Sequence, residues 1–216
     1  MPRESPPIRL QAAGIECVRG ARALFRNLDC AVESGGALHL RGENGAGKTS
    51  LMQILCGLHR PETGEVRWNG MPITGGAARA DYYAQLAYLG HKPALKGELT
   101  PLENLATAAA LAGARANADA AKDALRRMGL RDAAFGARCA ALSAGQLQRV
   151  RLASLLLRRG GVWILDEPAA ALDKRGVREL ETLLSEQTAR GGMLVFSSHQ
   201  ELNVQAQTLN LGDYHQ

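Results

Sequence analysis

A glycine-rich segment near the start of the chain most constrains its fold. It has the spacing Gly-x-x-x-x-Gly-Lys-Thr, in which glycines let the backbone turn tightly enough to point several N–H groups at one anion. The lysine adds positive charge for the outer phosphates, the hydroxyl can ligate magnesium, and the start of a helix favours negative charge. The segment predicts a phosphate-binding loop for a nucleoside triphosphate, formed by Gly42, Glu43, Asn44, Gly45, Ala46, Gly47, Lys48, Thr49 and Ser50.

The segments around this loop alternate between strand-like and helix-like patterns. Residues 37–40 predict the strand that leads into the loop, and residues 50–56 predict the helix that follows it. The continuous apolar runs 162–165 and 193–196 are typical of central strands in a parallel sheet that is covered on both faces. This alternation predicts an α/β fold. Shorter strand-like segments lie at 8–18, 31–32, 65–69 and 86–89, with residues 22–25 expected to separate the first two.

The middle of the chain is predicted to be helical. Residues 102–130 are rich in alanine, with Gly113 and Gly129 as expected breaks. Leucine and methionine side chains provide an apolar face, which favours a packed helical subdomain over an isolated helical spacer. Two further helices are predicted, from about Ser143 to Leu157 and from about Gly176 to Ala189.

A pair of neighbouring carboxylates follows the first apolar run. Asp166 and Glu167 come directly after residues 162–165, at the predicted end of a buried strand. A carboxylate there can hold magnesium beside the Thr49 hydroxyl, and its neighbour can orient or deprotonate an attacking water. Asp-Glu pairs are also common in solvated loops, but the phosphate loop and the apolar strand upstream favour the catalytic interpretation.

The pentapeptide Leu-Ser-Ala-Gly-Gln at 142–146 narrows the class of protein. Its serine and the following backbone N–H groups can form a second anion cradle at a helix N-terminus, although the same serine would serve equally as an ordinary N-cap. With the phosphate loop and the carboxylate pair in this order, the chain resembles the ATP-binding cassette ATPases, whose signature usually reads Leu-Ser-Gly-Gly-Gln. The signature residues are then Ser143, Ala144, Gly145 and Gln146.

The resemblance implies a fold and an assembly. The fold is that of a P-loop NTPase, with a RecA-like α/β core, an antiparallel β subdomain and an inserted α-helical signature subdomain. Residues 1–216 would form a single ATP-binding domain, with a core of 1–92 and 158–216 and a helical subdomain at 93–157. In this family two cassettes pack head to tail, so that each ATP lies between one copy's phosphate loop and the other copy's signature. Ser143 and Gly145 would then act across a homodimer interface.

The resemblance also implies roles for residues outside the main motifs. Asp173 stands where the family has a residue that reaches across the subunit interface, and His199 where a histidine contacts the γ-phosphate. His91 stands where most cassettes carry glutamine. An imidazole there can still sense magnesium-bound water, and it titrates near neutral pH. The aromatic residue that usually stacks on adenine is missing; Arg19 takes its place, and a guanidinium can stack on a base.

Sequence features that are less specific than these motifs resemble one subgroup of the family. The chain resembles the ATPase subunit of the cytochrome c maturation (haem exporter) complex of Gram-negative bacteria. The resembling segments are Gly90-His91, residues 98–105, the signature, Trp163–Pro168 and His199-Gln200. That resemblance implies a peripheral protein on the cytoplasmic face of the inner membrane, which uses ATP to drive integral membrane subunits in haem export or in release of a haem chaperone. The alternatives are an exporter ATPase for another solute and, less favoured, a soluble non-transport cassette ATPase.

Composition adds weaker constraints. The formal net charge of +5 rests on scattered arginines, and with no basic arm we expect no nucleic-acid partner. The four cysteines are far apart and lack metal-ligand spacing, so each is expected to be a small, reduced, buried residue of a cytoplasmic protein. Residues 1–7 lack the apolar core of a secretory signal, and no stretch approaches the ~20 apolar residues that span a bilayer. A membrane role would therefore require a partner chain.

Overall fold

The computed structural model describes residues 9–20, 22–91, 94–113, 117–158 and 160–214. The predicted strand start at Ile8 and the predicted subdomain boundary at 92–93 lie outside these residues. The strands are β1 (Arg9–Arg19), β2 (Arg22–Glu33), β3 (Ala37–Arg41), β4 (Thr63–Trp68), β5 (Met71–Pro72), β6 (Leu86–Leu89), β7 (Val162–Leu165), β8 (Met193–Ser197) and β9 (Gln207–Asn210). The helices are α1 (Lys48–Leu55), α2 (Gly76–Gln85), α3 (Pro101–Leu111), α4 (Ala118–Arg127), α5 (Ala144–Leu156) and α6 (Lys174–Ala189), with 3-10 turns at Asp132–Ala134, Cys139–Ala141 and Leu211–Tyr214.

A five-stranded parallel sheet forms the centre of the fold, in the order β6-β7-β8-β3-β9. Alternate residues of β7 enter different cores: Val162 and Ile164 face one, whereas Trp163 and Leu165 face the other. This two-sided burial explains why β7 and β8 are continuous apolar runs, as the sequence predicted. Because parallel strands end at the same edge, the segments that follow β3, β7 and β8 meet there.

A second, antiparallel sheet has the order β2-β1-β4-β5. The prediction that residues 22–25 separate two strands was wrong, because Ala23 pairs with Val18 and Phe25 pairs with Cys17. Phe25 is fully buried in the core, so the hairpin continues through it with shifts in register. The predicted α/β fold class is confirmed, and an antiparallel sheet lies beside the parallel one.

The helices divide between the two faces of the parallel sheet. On one face, α1 packs between the two sheets through residues such as Leu51 and Ile54. On the other face, α3, α4, α5 and α6 form the second core, with Leu105, Leu125 and Leu180 at its centre. The alanine-rich region forms two helices, α3 and α4, and Gly113 between them takes the left-handed conformation expected of a break.

The sequence did not predict α2 or β9. Only Tyr82 of α2 is buried, so this helix has little of the apolar periodicity that reveals an amphipathic helix. Strand β9 is a short edge strand with largely exposed side chains. Within the described ranges, no helix combines the length and the apolar character needed to cross a bilayer.

Candidate functional site

The phosphate loop connects β3 to α1, at the edge of the sheet where the parallel strands end. Gly42, Gly45 and Gly47 have φ values of 145°, 84° and 101°, which side-chain-bearing residues rarely adopt. At Gly47 a Cβ atom would also lie 2.9 Å from the Phe25 ring. Glycine is therefore required there both by conformation and by the close approach of β2.

The loop opens onto a cleft of about 420 Å³ that unites most of the predicted site. From separate segments of the chain it brings together Lys48, His91, Glu167 and His199. The Lys48 ammonium donates to the carbonyl oxygens of Gly42 at 2.7 Å and Glu43 at 3.1 Å, so it is held against the loop. The full lining is Leu24, Asn44, Gly45, Gly47, Lys48, Thr49, Ser50, His91, Asp166, Glu167 and His199.

The Thr49 hydroxyl and the Asp166 carboxylate meet in this cleft. Thr49 Oγ1 donates to Asp166 Oδ2 at 2.7 Å. Ser197, the last residue of β8, donates from Oγ to Asp166 Oδ1 at 2.8 Å and accepts the Glu167 N–H at 3.0 Å. Ser197 was not among the site residues predicted from the sequence. The feature that could have identified it is a hydroxyl-bearing residue at the end of an otherwise apolar strand, and in the structure this hydroxyl residue is fully buried.

Glu167 and His199 are in direct contact in the cleft. Glu167 has a φ of 51°, in the left-handed region that a glutamate adopts only when its surroundings hold it. The Glu167 Oε2 atom accepts a hydrogen bond from the backbone N–H of His199 at 3.1 Å. The imidazole Nε2 atom of His199 lies 3.6 Å from Glu167 Oε1. Oε1 is buried and has no hydrogen-bond partner within the described structure. Such an acceptor is suited to bind a water or ligand hydrogen.

These groups fit a magnesium–nucleotide complex. Hydroxyl and carboxylate oxygens are ligands that Mg²⁺ prefers, and Thr49 and Asp166 place one of each side by side. Backbone N–H groups at the start of α1 and the Lys48 ammonium complement phosphate charge. The unpartnered Glu167 oxygen adds an acceptor for a nucleophile. The chemistry of the cleft is therefore suited to phosphoryl transfer to water.

Helix α5 supports both loops that face the nucleotide cleft. Gln148 donates from Nε2 to the Pro168 carbonyl oxygen at 2.7 Å, beside Glu167. Arg151 donates to Gln148 Oε1 at 2.7 Å and to the carbonyl oxygen of Gly90, beside His91. Burial lowers the pKa of Arg151, an effect that Asp166 opposes. Gln148 and Arg151 were not predicted from the sequence. What distinguishes them is that two polar side chains, three positions apart on one helix, are both buried.

The signature residues lie at the start of α5. Ser143 caps the helix and forms a capping box with Gln146, in which each side chain accepts the other residue's backbone N–H. Ser143 and Ala144 are exposed. A Cβ atom on Gly145 would lie 2.7 Å from the Ala171 carbonyl oxygen, so this position tolerates only glycine. None of the four residues lines the phosphate-loop cleft of the same chain.

Asp173 and Arg19 are occupied by contacts within the chain. Asp173 Oδ1 caps α6 by accepting the Gly176 N–H at 2.8 Å, and it pairs with Arg149 at 2.7 Å. The Gly176 N–H, and then the Arg149 charge, hold the pKa of Asp173 below its usual value. Arg19, predicted to stack on the base, donates to Gln53 Oε1 on α1 at 3.2 Å. Leu24, rather than Arg19, lines the cleft.

The fold and the cleft together define a P-loop nucleoside triphosphatase. Comparison with known proteins is more specific: the ABC transporter family model matches residues 25–170. The cytochrome c biogenesis ATP-binding export protein CcmA of Aromatoleum aromaticum is 49% identical and covers 89% of each chain. The protein of the same name in Methylococcus capsulatus is 47% identical over 94% of this chain and 97% of its own. The chain belongs to the ABC transporter family and is an ABC-type ATPase.

Solved structures agree with this fold. An ATP-binding protein of an ABC transporter from Pyrococcus furiosus has a TM-score of 0.83 and 25% identity, covering 96% of this chain and all of its own. A dimeric ATP-binding cassette bound to ADP and Pi has a TM-score of 0.77 and 21% identity, covering 88% of each chain. The second likeness concerns the fold alone.

Proposed function

We propose that this chain is the ATPase subunit of a membrane complex for cytochrome c biogenesis, in which its ATP hydrolysis drives the partner subunits. Two relatives that match nearly the whole chain carry cytochrome c biogenesis and ATP-binding export in their names. The observation that carries the ATPase chemistry is the Glu167 carboxylate, with its buried unpartnered oxygen in the same cleft as Lys48 and Thr49.

Each residue of the cleft has a role in this proposal. Thr49 and Asp166 would hold Mg²⁺, which neutralises charge on the phosphates when bound. Glu167 would orient the attacking water and take its proton, while His199 would contact the γ-phosphate. His91, on the loop that Arg151 supports, would report occupancy of the cleft to the adjoining helical subdomain.

The proposed active unit is a homodimer with ATP at the interface. Support comes from Ser143 and Ala144, which are exposed, and from the position of all four signature residues outside the phosphate-loop cleft of their own chain. In a head-to-tail pair, Ser143 and Gly145 of one copy would cover the nucleotide held by the other, with Asp173 near the seam. ATP would then favour closure because it binds the closed pair more tightly than the separate copies.

The proposed partners are integral membrane subunits, and the proposed location is the cytoplasmic face of the bacterial inner membrane. The helical subdomain at 93–157, inserted into the core of 1–92 and 158–216, would carry the signature toward the second copy. The names of the relatives support the membrane-complex assignment, since an export protein requires a path across the membrane.

Glu167→Gln tests the catalytic part of the proposal. We expect hydrolysis to fall by ~10²–10⁴-fold, because the carboxamide cannot accept the proton of the water. ATP should still bind, and size-exclusion chromatography with ATP should show a stable dimer. Glu62→Gln, an exposed carboxylate outside the cleft, is the control. Normal turnover by Glu167→Gln would contradict the assigned role.

Co-purification from detergent-solubilised membranes tests the partner. We expect the wild-type chain to recover integral membrane subunits that are required for cytochrome c assembly. Recovery of membrane subunits for an unrelated solute would instead favour a general exporter ATPase. If the chain is recovered without any membrane subunit, this result would favour a soluble cassette ATPase and would contradict the proposed complex.

A further inference from the structure

A second cavity adjoins the phosphate-loop cleft. It has a volume of about 280 Å³ and lies where β3 and β8 end side by side. Lys48 and His199 line both this cavity and the nucleotide cleft, so the two spaces share the residues closest to the outer phosphates. Its other polar residues include His39, Arg41 and Glu201.

His39 presents an unpaired donor at this cavity. His39 is 7% exposed, and its ring stacks on Phe196 of β8, with 4.5 Å between the ring centroids and 8° between the planes. Nδ1 accepts a long hydrogen bond from Arg41 Nε at 3.4 Å, which leaves the proton of the neutral imidazole on Nε2. Nε2 is buried and has no hydrogen-bond partner within the described structure. Burial lowers the pKa of His39 and the Arg41 charge adds to this effect, whereas the Ser198 backbone and Glu167 only partly offset it, so the neutral ring is favoured at pH 7.

The remaining groups favour an anion with several oxygens. Arg41 and Lys48 contribute positive charge, and His199 contributes a second imidazole. Glu201 is the acidic residue in the cavity lining, but it is exposed and can turn toward solvent. A buried N–H without an acceptor is costly, and an oxyanion in this cavity would supply the acceptor.

We propose that this cavity is a second oxyanion site that receives orthophosphate after ATP is cleaved. The inference rests on the proposed function, which supplies the orthophosphate when water attacks the γ-phosphate and ADP leaves. Because Lys48 and His199 border both spaces, the product would pass from the cleft to the cavity while keeping contact with the same two side chains. The route would allow phosphate to depart while another copy's signature still covers the nucleotide.

Titration of the ADP-saturated protein with inorganic phosphate tests this site directly. NMR of the imidazole groups follows all five histidines, with His39 assigned by through-bond experiments and by its loss in His39→Phe. We expect the His39 signals to shift saturably with phosphate but not with chloride at equal ionic strength. A response of His199 alone, or of neither residue, would overturn the inference.

Variants test whether the His39 donor matters. The ring of His39→Phe can still stack on Phe196 but has no N–H, and we expect calorimetry to show phosphate affinity at least about tenfold weaker. His39→Gln keeps a donor and should bind more tightly than His39→Phe, and Glu201→Gln should bind more tightly than wild type. The control is His59→Phe, which lies outside both cavities. Equal phosphate affinity in His39→Phe and wild type would refute the inference.

ADP binding separates this inference from the proposed function. If ADP fails to bind the wild-type chain, the nucleotide assignment itself fails. If ADP binds normally and phosphate leaves the His39 signals unchanged, only the second oxyanion site is refuted.

Discussion

At the scale of single residues, the two carboxylates of the cleft depend on a serine that was not among the site residues predicted from the sequence. Ser197 donates to Asp166 and accepts the backbone N–H of Glu167. One hydroxyl thus orients the proposed metal ligand and also holds the strained Glu167 backbone in place. Hydrogen bonds to a metal-ligating carboxylate orient that carboxylate and commonly affect metal affinity as well.

Removing this hydroxyl should weaken the use of magnesium. For Ser197→Ala we expect the magnesium concentration that half-saturates ATP hydrolysis to rise by ~10–100-fold, because Asp166 loses its orienting donor. Steady-state hydrolysis over a magnesium titration measures this. Ser185→Ala, an exposed serine on α6, should match wild type. An unchanged magnesium requirement in Ser197→Ala would show that Thr49 alone orients Asp166.

Lys48 should contribute to nucleotide affinity through charge. In Lys48→Ala we expect calorimetry to show ATP binding weakened by at least about tenfold, because a charge-assisted hydrogen bond typically contributes ~1.5–3 kcal/mol. Lys96→Ala, on an exposed residue outside the cleft, is the control. Undiminished ATP affinity in Lys48→Ala would contradict the phosphate-loop assignment.

At the scale of elements, an ionic cluster joins α5 to α6 and to the segment before α6. Arg149 on α5 pairs with Asp173 at 2.7 Å and with Glu179 on α6 at 2.6 Å. It also donates to the Met128 carbonyl oxygen after α4. The Arg149 side chain is only 11% exposed, so its loss would leave Glu179 poorly solvated. The cluster therefore holds the signature helix against the core.

Stability measurements can separate this cluster from an ordinary surface pair. We expect Arg149→Met to lower the unfolding free energy by ~2–3 kcal/mol, since the partly buried Glu179 carboxylate loses its more buried partner and keeps only the exposed Arg175. That corresponds to a Tm lower by ~5–10 °C for a chain of this size. Arg175→Met removes an exposed partner of the same Glu179 and should cost at most ~0.5 kcal/mol. Equal Tm losses in the two variants would contradict the special role of Arg149.

At the scale of the whole molecule, the two halves of the proposed site lie on different surfaces of one chain. Lys48 and Glu167 line the cleft, whereas Ser143 and Ala144 are exposed at the start of α5. A cleft residue and a signature residue of the same copy therefore do not face a common space in the described structure. A second copy would supply the missing side.

Mixing two inactive variants tests this arrangement. Ser143→Arg and Lys48→Ala should each abolish hydrolysis alone. In a mixed dimer, the intact phosphate loop of one copy would meet the intact signature of the other, so we expect partial recovery of activity. The measurement is hydrolysis by the mixture against equal amounts of each variant alone. Failure to recover activity, with mixed dimers verified by tag-based purification, would favour a site within one chain.

The sequence predicted the parts of the fold and of the site whose residues are adjacent in the chain. Three short motifs were apparent: the phosphate loop, the carboxylates Asp166 and Glu167, and the signature at 142–146. Their spacing follows from local backbone geometry and from the burial of a single strand, which is why β7 and α5 were also predicted closely. The prediction placed a break between β1 and β2 at residues 22–25, where the hairpin in fact continues. The error arose because Phe25 is buried against the phosphate loop at Gly47, which is distant in the sequence.

Only the tertiary structure decided which polar groups support those motifs. Ser197, Gln148 and Arg151 contact the cleft residues or the adjoining loops across gaps of about 20 to 60 positions in the chain. The positions of Arg19 beside α1 and of His39 beside Phe196 likewise depend on how strands and helices pack. A motif can be recognised in the sequence because its residues are adjacent in the chain. A supporting contact cannot, since it exists only after separate segments have been buried together.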